Sequence, residues 1–140
     1  MSTSTPNALL RLRRHADYQR VYTTSRKQFA KQMSFFYSLR SADGPDGKAR
    51  RSDTPGARVG LTVGKVLGKA VDRNRIKRRM RESIRRNAAA LTFPVDVILH
   101  PRRTVLELEP AKLDREVAHI FRTIQTALLN TAKSSLRDKV

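Results

Sequence analysis

The chain has 140 residues, 39% of them hydrophobic, and its 30 Lys and Arg outnumber 12 Asp and Glu to leave a formal charge of +18. This length admits about one domain, and the apolar content suffices for a core, so a large multidomain enzyme and a wholly disordered chain are both excluded. Without cysteine, disulfides, thiolate nucleophiles and cysteine-ligated metals are excluded and a reducing compartment fits. No apolar run is long enough for a membrane span or a signal-peptide core, so the expected location is cytoplasmic.

The charge is local. Residues 1–31 hold seven basic residues against Asp17, and residues 65–86 hold ten against Asp72 and Glu82, whereas residues 41–56 are neutral. Two basic blocks between hydrophobic segments point to a folded scaffold presenting charge at chosen places, with a nucleic acid as the first partner to consider.

Residues 1–12 lack an apolar repeat and read as a disordered basic tail, followed by a single domain over 13–132 and a short tail over 133–140. Tyr18, Val21 and Tyr22 at i, i+3 and i+4 predict an amphipathic helix over 16–27 carrying both tyrosines on one side. Met33, Phe35, Tyr37 and Leu39 alternate with Ser34, Phe36 and Ser38, the period of a half-buried strand in which Phe36 points away from Phe35. Residues 41–56 hold three glycines and two prolines and read as a flexible insertion. Val59, Leu61 and Val63 predict a second strand over 58–63. Ile76, Met80 and Ile84 give a helix over 71–91 its narrow apolar stripe, with Asp72 as the expected N-cap. A strand over 95–99 follows, with Pro101 at its exit. A last helix opens near Pro110 and carries the stripe Leu113, Val117, Ile120, Phe121, Ile124 and Leu128. The order α-β-β-α-β-α predicts an α+β fold, a small sheet packed against helices.

Eight basic residues between Arg73 and Arg86 face one acid, Glu82, so their repulsion is not relieved by i,i+4 partners. Phosphates relieve it well, because a guanidinium donates two parallel hydrogen bonds and each contact releases counterions. Tyr18 and Tyr22 stand near Arg14 and Arg20, a combination able to stack unpaired bases, although core packing accounts for aromatics equally well and is favoured for Phe35. Catalytic chemistry is thin. His15, His100 and His119 have no metal-type spacing and read as structural or exposed. Asp17 and Asp96 could be paired carboxylates, but capping or solvent exposure explains each. There is no Gly-x-Ser-x-Gly, Walker loop or Gly-x-Gly-x-x-Gly, so no catalytic residue and no protein-held metal is expected.

The stretch Val59-Gly60-Leu61-Thr62-Val63-Gly64-Lys65 followed by Gly68 to Arg78, with Arg73-Asn74-Arg75 inside it, resembles the signature of the bacterial ribonuclease P protein component. Leu12 to Tyr22 is similar to that family's first helix, and Asp96 to Arg103 to its late strand. The resemblance implies a small, mainly antiparallel sheet with a left-handed βαβ crossover. It also implies an accessory subunit, one per RNA, of a ribonucleoprotein that removes the 5′ leader of precursor tRNA, with Mg²⁺-dependent hydrolysis performed by the RNA and the ion held mainly there. By the same resemblance, Lys69, Arg73, Asn74, Arg75, Lys77, Arg78, Arg79 and Arg81 face the catalytic RNA. Arg13, Tyr18, Tyr22, Phe36, Tyr37 and Lys65 then belong to a cleft for the single-stranded leader. Many members have phenylalanine at the positions of Tyr18 and Tyr22, and a basic residue where Asp72 stands. A ribosomal or nucleoid structural protein is the competing reading. A protein nuclease would need clustered carboxylates that the sequence does not supply.

Overall fold

A seven-residue strand whose alternate side chains meet two different layers organises the molecule. The computed structural model describes residues 10–40 and 56–138, with side chains described for 11–40 and 56–133. In chain order it contains β1 (Leu10–Arg11), α1 (His15–Thr24), β2 (Gln28–Phe29), β3 (Met33–Leu39), β4 (Arg58–Leu61), α2 (Ala70–Arg86), β5 (Val95–Pro101) and α3 (Pro110–Asp138), with short 3₁₀ turns between. The strands form one sheet in the order β1-β4-β5-β3-β2. The antiparallel β3–β5 pairing is its longest, seven residues from Met33↔Pro101 to Leu39↔Val95. β4 and β5 are parallel neighbours joined through α2, which makes a βαβ unit.

Register sorts the side chains. Facing α2 and α3 are Met33, Phe35 and Tyr37 of β3, Val59 and Leu61 of β4, and Val95, Val97 and Leu99 of β5. They pack with Ile76, Met80 and Ile84 of α2 and the six expected stripe residues of α3. The opposite face carries three rows across β4, β5 and β3: Arg58, Asp96 and Ser38; Gly60, Ile98 and Phe36; then His100 and Ser34. α1 covers this face, with Leu12, Val21 and Ile98 buried beneath it.

β3 has its predicted bounds and alternation up to Tyr37, while Leu39, expected on the buried face, is 50% exposed; the α+β order stands with two additions. β1 and β2 are two-residue strands, too short for any period to announce. β1 pairs with β4 and Leu12 is 2% exposed, so residues 10–12, expected in the tail, belong to the fold; residues 1–9 lie outside the described part. So do residues 41–55, most of the expected insertion. α3 runs past residue 132 to Asp138. α1 ends at Thr24 and α2 at Arg86, where the Asn87 amide donates to Ser83 and Ile84 carbonyls and a 3₁₀ turn takes over. Lys69 occupies the N-cap position of α2, and Asp72 lies in the first turn. There it pairs with Arg103 at 3.4 Å instead of capping.

Candidate nucleic-acid interface

α2 buries its narrow stripe together with Ser83 and turns most of its other side chains outward, which follows from apolar residues recurring every fourth position. Asn74, Arg75, Arg78, Arg81, Arg85 and Lys69 are exposed, and Arg73 and Lys77 are half-buried. Val71, Asn74, Arg75 and Arg78 line a shallow concavity on this face. Two of the eight cations are occupied within the protein. Arg79, expected on the RNA face, donates to the carbonyl oxygens of Val105 at 2.8 Å, Leu106 at 2.6 Å, and Leu108, tying α2 to the turn after β5. Arg86 makes a two-bond ion pair with Asp114 of α3, both contacts at 2.9 Å, and these hold the Asp114 carboxyl below its ordinary pKa. Arg75, Arg78, Arg81 and Arg85 have no ion-pair partner among the described residues. Asp72, in the first turn of this helix, pairs with Arg103 at 3.4 Å.

The aromatic group lies on the other layer. Tyr22, 37% exposed, meets Phe36 edge-on with ring centroids 4.9 Å apart and lies 6.5 Å from Tyr18. Tyr18 is half-buried, its hydroxyl donating toward the carbonyls of Leu12 at 3.2 Å and Leu61 at 3.5 Å. Burial, and secondarily Tyr22, raise its pKa, so it stays neutral. Gly60 permits this approach, because a Cβ there would stand 2.3 Å from the Tyr18 hydroxyl oxygen. Arg13, just before α1, and Lys65, after β4, are both exposed. Tyr37 does not join the group. It opposes Val97 on the face packed by α2 and α3, since residues 36 and 37 of a strand point to opposite sides.

His100 joins instead. Its Nε2 lies 2.9 Å from the Tyr22 hydroxyl, and its ring is 5.4 Å from that of Phe36. Burial, and then Lys27, depress its pKa, which favours the neutral imidazole. Thr62 Oγ1 is 3.4 Å from the same tyrosine hydroxyl. The signal was present in the alternation of β5, where His100 has the parity of Ile98 and not of Leu99.

Asp17 and Asp96 are neither caps nor exposed. They are 7% and 0% exposed and share Arg20 and Arg58, with Arg40 pairing to Asp96 as well. Burial by itself would raise the Asp96 carboxyl, but hydrogen bonds from Arg58 and Arg40 outweigh it and hold the pKa below the ordinary aspartate value. No group of three or more His, Asp or Glu able to hold a metal occurs among the described residues. Among the described residues, the two aspartates that come together are both engaged by guanidinium groups.

A basic helix with arginines that lack ion-pair partners among the described residues on one layer, and an edge-on aromatic cluster beside polar groups on the other, define a small α+β protein whose surface chemistry suits polyanions. The comparisons agree. The family model for Ribonuclease P matches residues 7–125. The ribonuclease P protein component of Alkaliphilus oremlandii (strain OhILAs) is 30% identical over 125 residues, covering 89% of this chain and 97% of that one. That of Levilactobacillus brevis (strain ATCC 367) is 32% identical over 114 residues, covering 80% and 86%. Among solved structures, the Staphylococcus aureus RNase P protein aligns at TM-score 0.63 with 23% identity, covering 81% of this chain and 94% of that one. The Thermotoga maritima RNase P protein aligns at 0.63 with 20% identity, covering 81% and 96%. These last two similarities establish the shared fold. The chain belongs to the ribonuclease P family, as a protein component.

Proposed function

We propose that the chain is the accessory subunit of a cytoplasmic ribonuclease P ribonucleoprotein, in which the RNA cleaves the 5′ leader from precursor tRNA. The exposed side of α2, through Lys69, Arg73, Asn74, Arg75, Lys77, Arg78 and Arg81, binds the catalytic RNA. Arg79 is withdrawn from that set because its guanidinium is committed to backbone carbonyls. The α1 face receives the single-stranded leader: Tyr22 and Phe36 offer ring surface to bases, Tyr18 backs them, and Arg13 and Lys65 meet phosphates. Stacking of this kind contributes about 1–3 kcal/mol per base. The protein's part is to bind, orient and supply positive charge; Mg²⁺ is assigned to the RNA.

Beyond family membership, one observation supports this reading most: arginines without ion-pair partners gathered on the outer side of α2, Arg75, Arg78, Arg81 and Arg85 among the described residues. A folded protein tolerates such a cluster when a polyanion neutralises it. The test is cleavage of a 5′-labelled precursor tRNA at low Mg²⁺ and near-physiological salt by a bacterial ribonuclease P RNA, with and without the protein, and by the protein alone. Strong stimulation, with no cleavage by protein alone, is expected. Tight binding to structured RNA without stimulation would instead favour a ribosomal or nucleoid role.

A further inference from the structure

α1 meets the sheet through few apolar groups. Its buried residues are Asp17 and Val21, and the apolar cluster it shares with the sheet has Leu12, Val21 and Ile98 as its buried members, with Tyr18 and Phe36 partly buried against them. Contact of that size is non-directional and does not by itself set how a ten-residue helix is rotated about its axis. Rotation matters here, because it decides whether Tyr18 and Tyr22 stand beside Phe36 or swing away.

We propose that the ion network of Asp17, Arg20, Arg40, Arg58 and Asp96 is the positioning device of the leader surface, locking the rotation of α1 on the sheet; the inference rests on the functional reading above. Asp96 is the hub. Its Oδ1 accepts from Arg40 Nη1 at 2.6 Å and Arg58 Nε at 2.8 Å, and its Oδ2 from Arg58 Nη2 at 2.7 Å and Arg20 Nη2 at 2.8 Å. Asp17 closes the circuit, with Oδ1 3.1 Å from Arg20 and Oδ2 3.3 Å from Arg58. α1 therefore contributes one residue of each sign, three positions apart, and the sheet answers each with its opposite: Asp17 faces Arg58, and Arg20 faces Asp96.

A helix turns by about 100° per residue, so a slip of one position would separate both pairs and leave a nearly fully buried carboxylate with fewer partners. Buried ion pairs are often no more stabilising than apolar residues of the same size, yet breaking one is costly, and polar groups are known to fix register in other helical assemblies. Tyr18 lies between Asp17 and Arg20, and Tyr22 one turn beyond Tyr18. Whatever orients residues 17 and 20 thus orients the tyrosines. None of the five is assigned to touch RNA, so they are positioning residues.

Asp96→Asn leaves three arginines around a neutral group and can unfold the chain, so the informative variants are Arg20→Gln and Asp17→Asn, tested as full-length protein assembled with a bacterial ribonuclease P RNA. The expected result is a loss of about tenfold in affinity for leader-bearing precursor, about 1.4 kcal/mol. Affinity for mature tRNA and for the RNA subunit should stay unchanged. Arg20→Lys, which can set an ammonium between the same carboxylates, should recover most of the loss. Combining Arg20→Gln with Tyr22→Ala should cost less than the two single losses together, because orientation matters less once the ring is gone. Equal weakening of leader-bearing and mature tRNA, or strict additivity with Tyr22→Ala, would overturn the proposal. A separate readout keeps it distinct from the leader reading. Ring-to-ring nuclear Overhauser contacts of Tyr22 with Phe36 and His100, measured in the protein alone, should weaken in Arg20→Gln. If they persist, the network does not position α1. If they weaken but the wild-type complex ignores the leader, the positioning stands and the leader reading fails.

Discussion

The two faces of the sheet are built by different means. Against α2 and α3 the sheet presents apolar side chains, and the resulting cluster joins eighteen buried residues among those described. Against α1 it presents an ionic row, an apolar row and a polar row, with three buried apolar residues. Apolar packing supplies stability without much direction, whereas charged and hydrogen-bonded contacts supply direction with little net stability. The stable face carries α2, whose outer side needs only to be held still. The directional face carries α1, whose exposed rings have to be aimed.

The sharpest way to break the comparison is to excavate the stable face. Phe121 is 0% exposed at its centre, and Phe121→Ala should cost about 3–5 kcal/mol. Urea titration followed by circular dichroism should show the whole chain losing stability, and every RNA activity should fall together. A loss confined to one activity would mean that the two faces fold independently.

Arginines on α2 sharpen it further, because residues of one type on one helix have opposite duties. Arg79→Ala removes a charged donor from three carbonyls and should destabilise the fold by about 2 kcal/mol. Arg75→Ala and Arg78→Ala should leave stability within about 0.5 kcal/mol while flattening the salt dependence of RNA-subunit binding by about one unit each. Parallel denaturation and salt titrations separate the two patterns. If Arg79→Ala flattens the slope and Arg75→Ala lowers stability, the division of duties is wrong.

That division was not legible in the sequence, and the reason is physical. Periodicity reports which side of an element is apolar, and it found β3, the stripe of α2 and the stripe of α3, where burial repeats along one face. It is silent about partners set by tertiary structure. Arg79 was indistinguishable from Arg78 because its carbonyl acceptors lie 26 to 29 positions away. Asp96 read as an exposed acid near a strand start because Arg58 and Arg40 are 38 and 56 positions off. Tyr37 is a different kind of miss. Grouping it with Tyr18 and Tyr22 followed the family resemblance, while the alternation of β3 already placed it opposite Phe36. The same parity rule, applied to β5, brings His100 into the aromatic group.

His100 yields the smallest expected effect and a clean sign. Burial and Lys27 set its pKa in the folded protein below the ordinary histidine value of 6.5. Between the folded value and 6.5 the unfolded chain binds a proton that the folded chain does not, so stability rises with pH across that window and is flat above it. Acidification from pH 7 should therefore lower the melting temperature slightly, beginning near pH 6.5, and His100→Gln should lack that component. Asp96 acts in a separate range. Its depressed pKa gives stability that is present above the unfolded value of 3.8 and lost as pH falls through the folded one. Comparing wild type with His100→Gln from pH 7.5 down to pH 5 thus separates the histidine, and with it the polar row under Tyr22, from the ionic row beside it and from Glu116, whose carboxyl burial raises. An identical pH profile in wild type and His100→Gln would show that the imidazole is solvated, and that the α1 face is more open than its packing against Tyr22 and Phe36 implies.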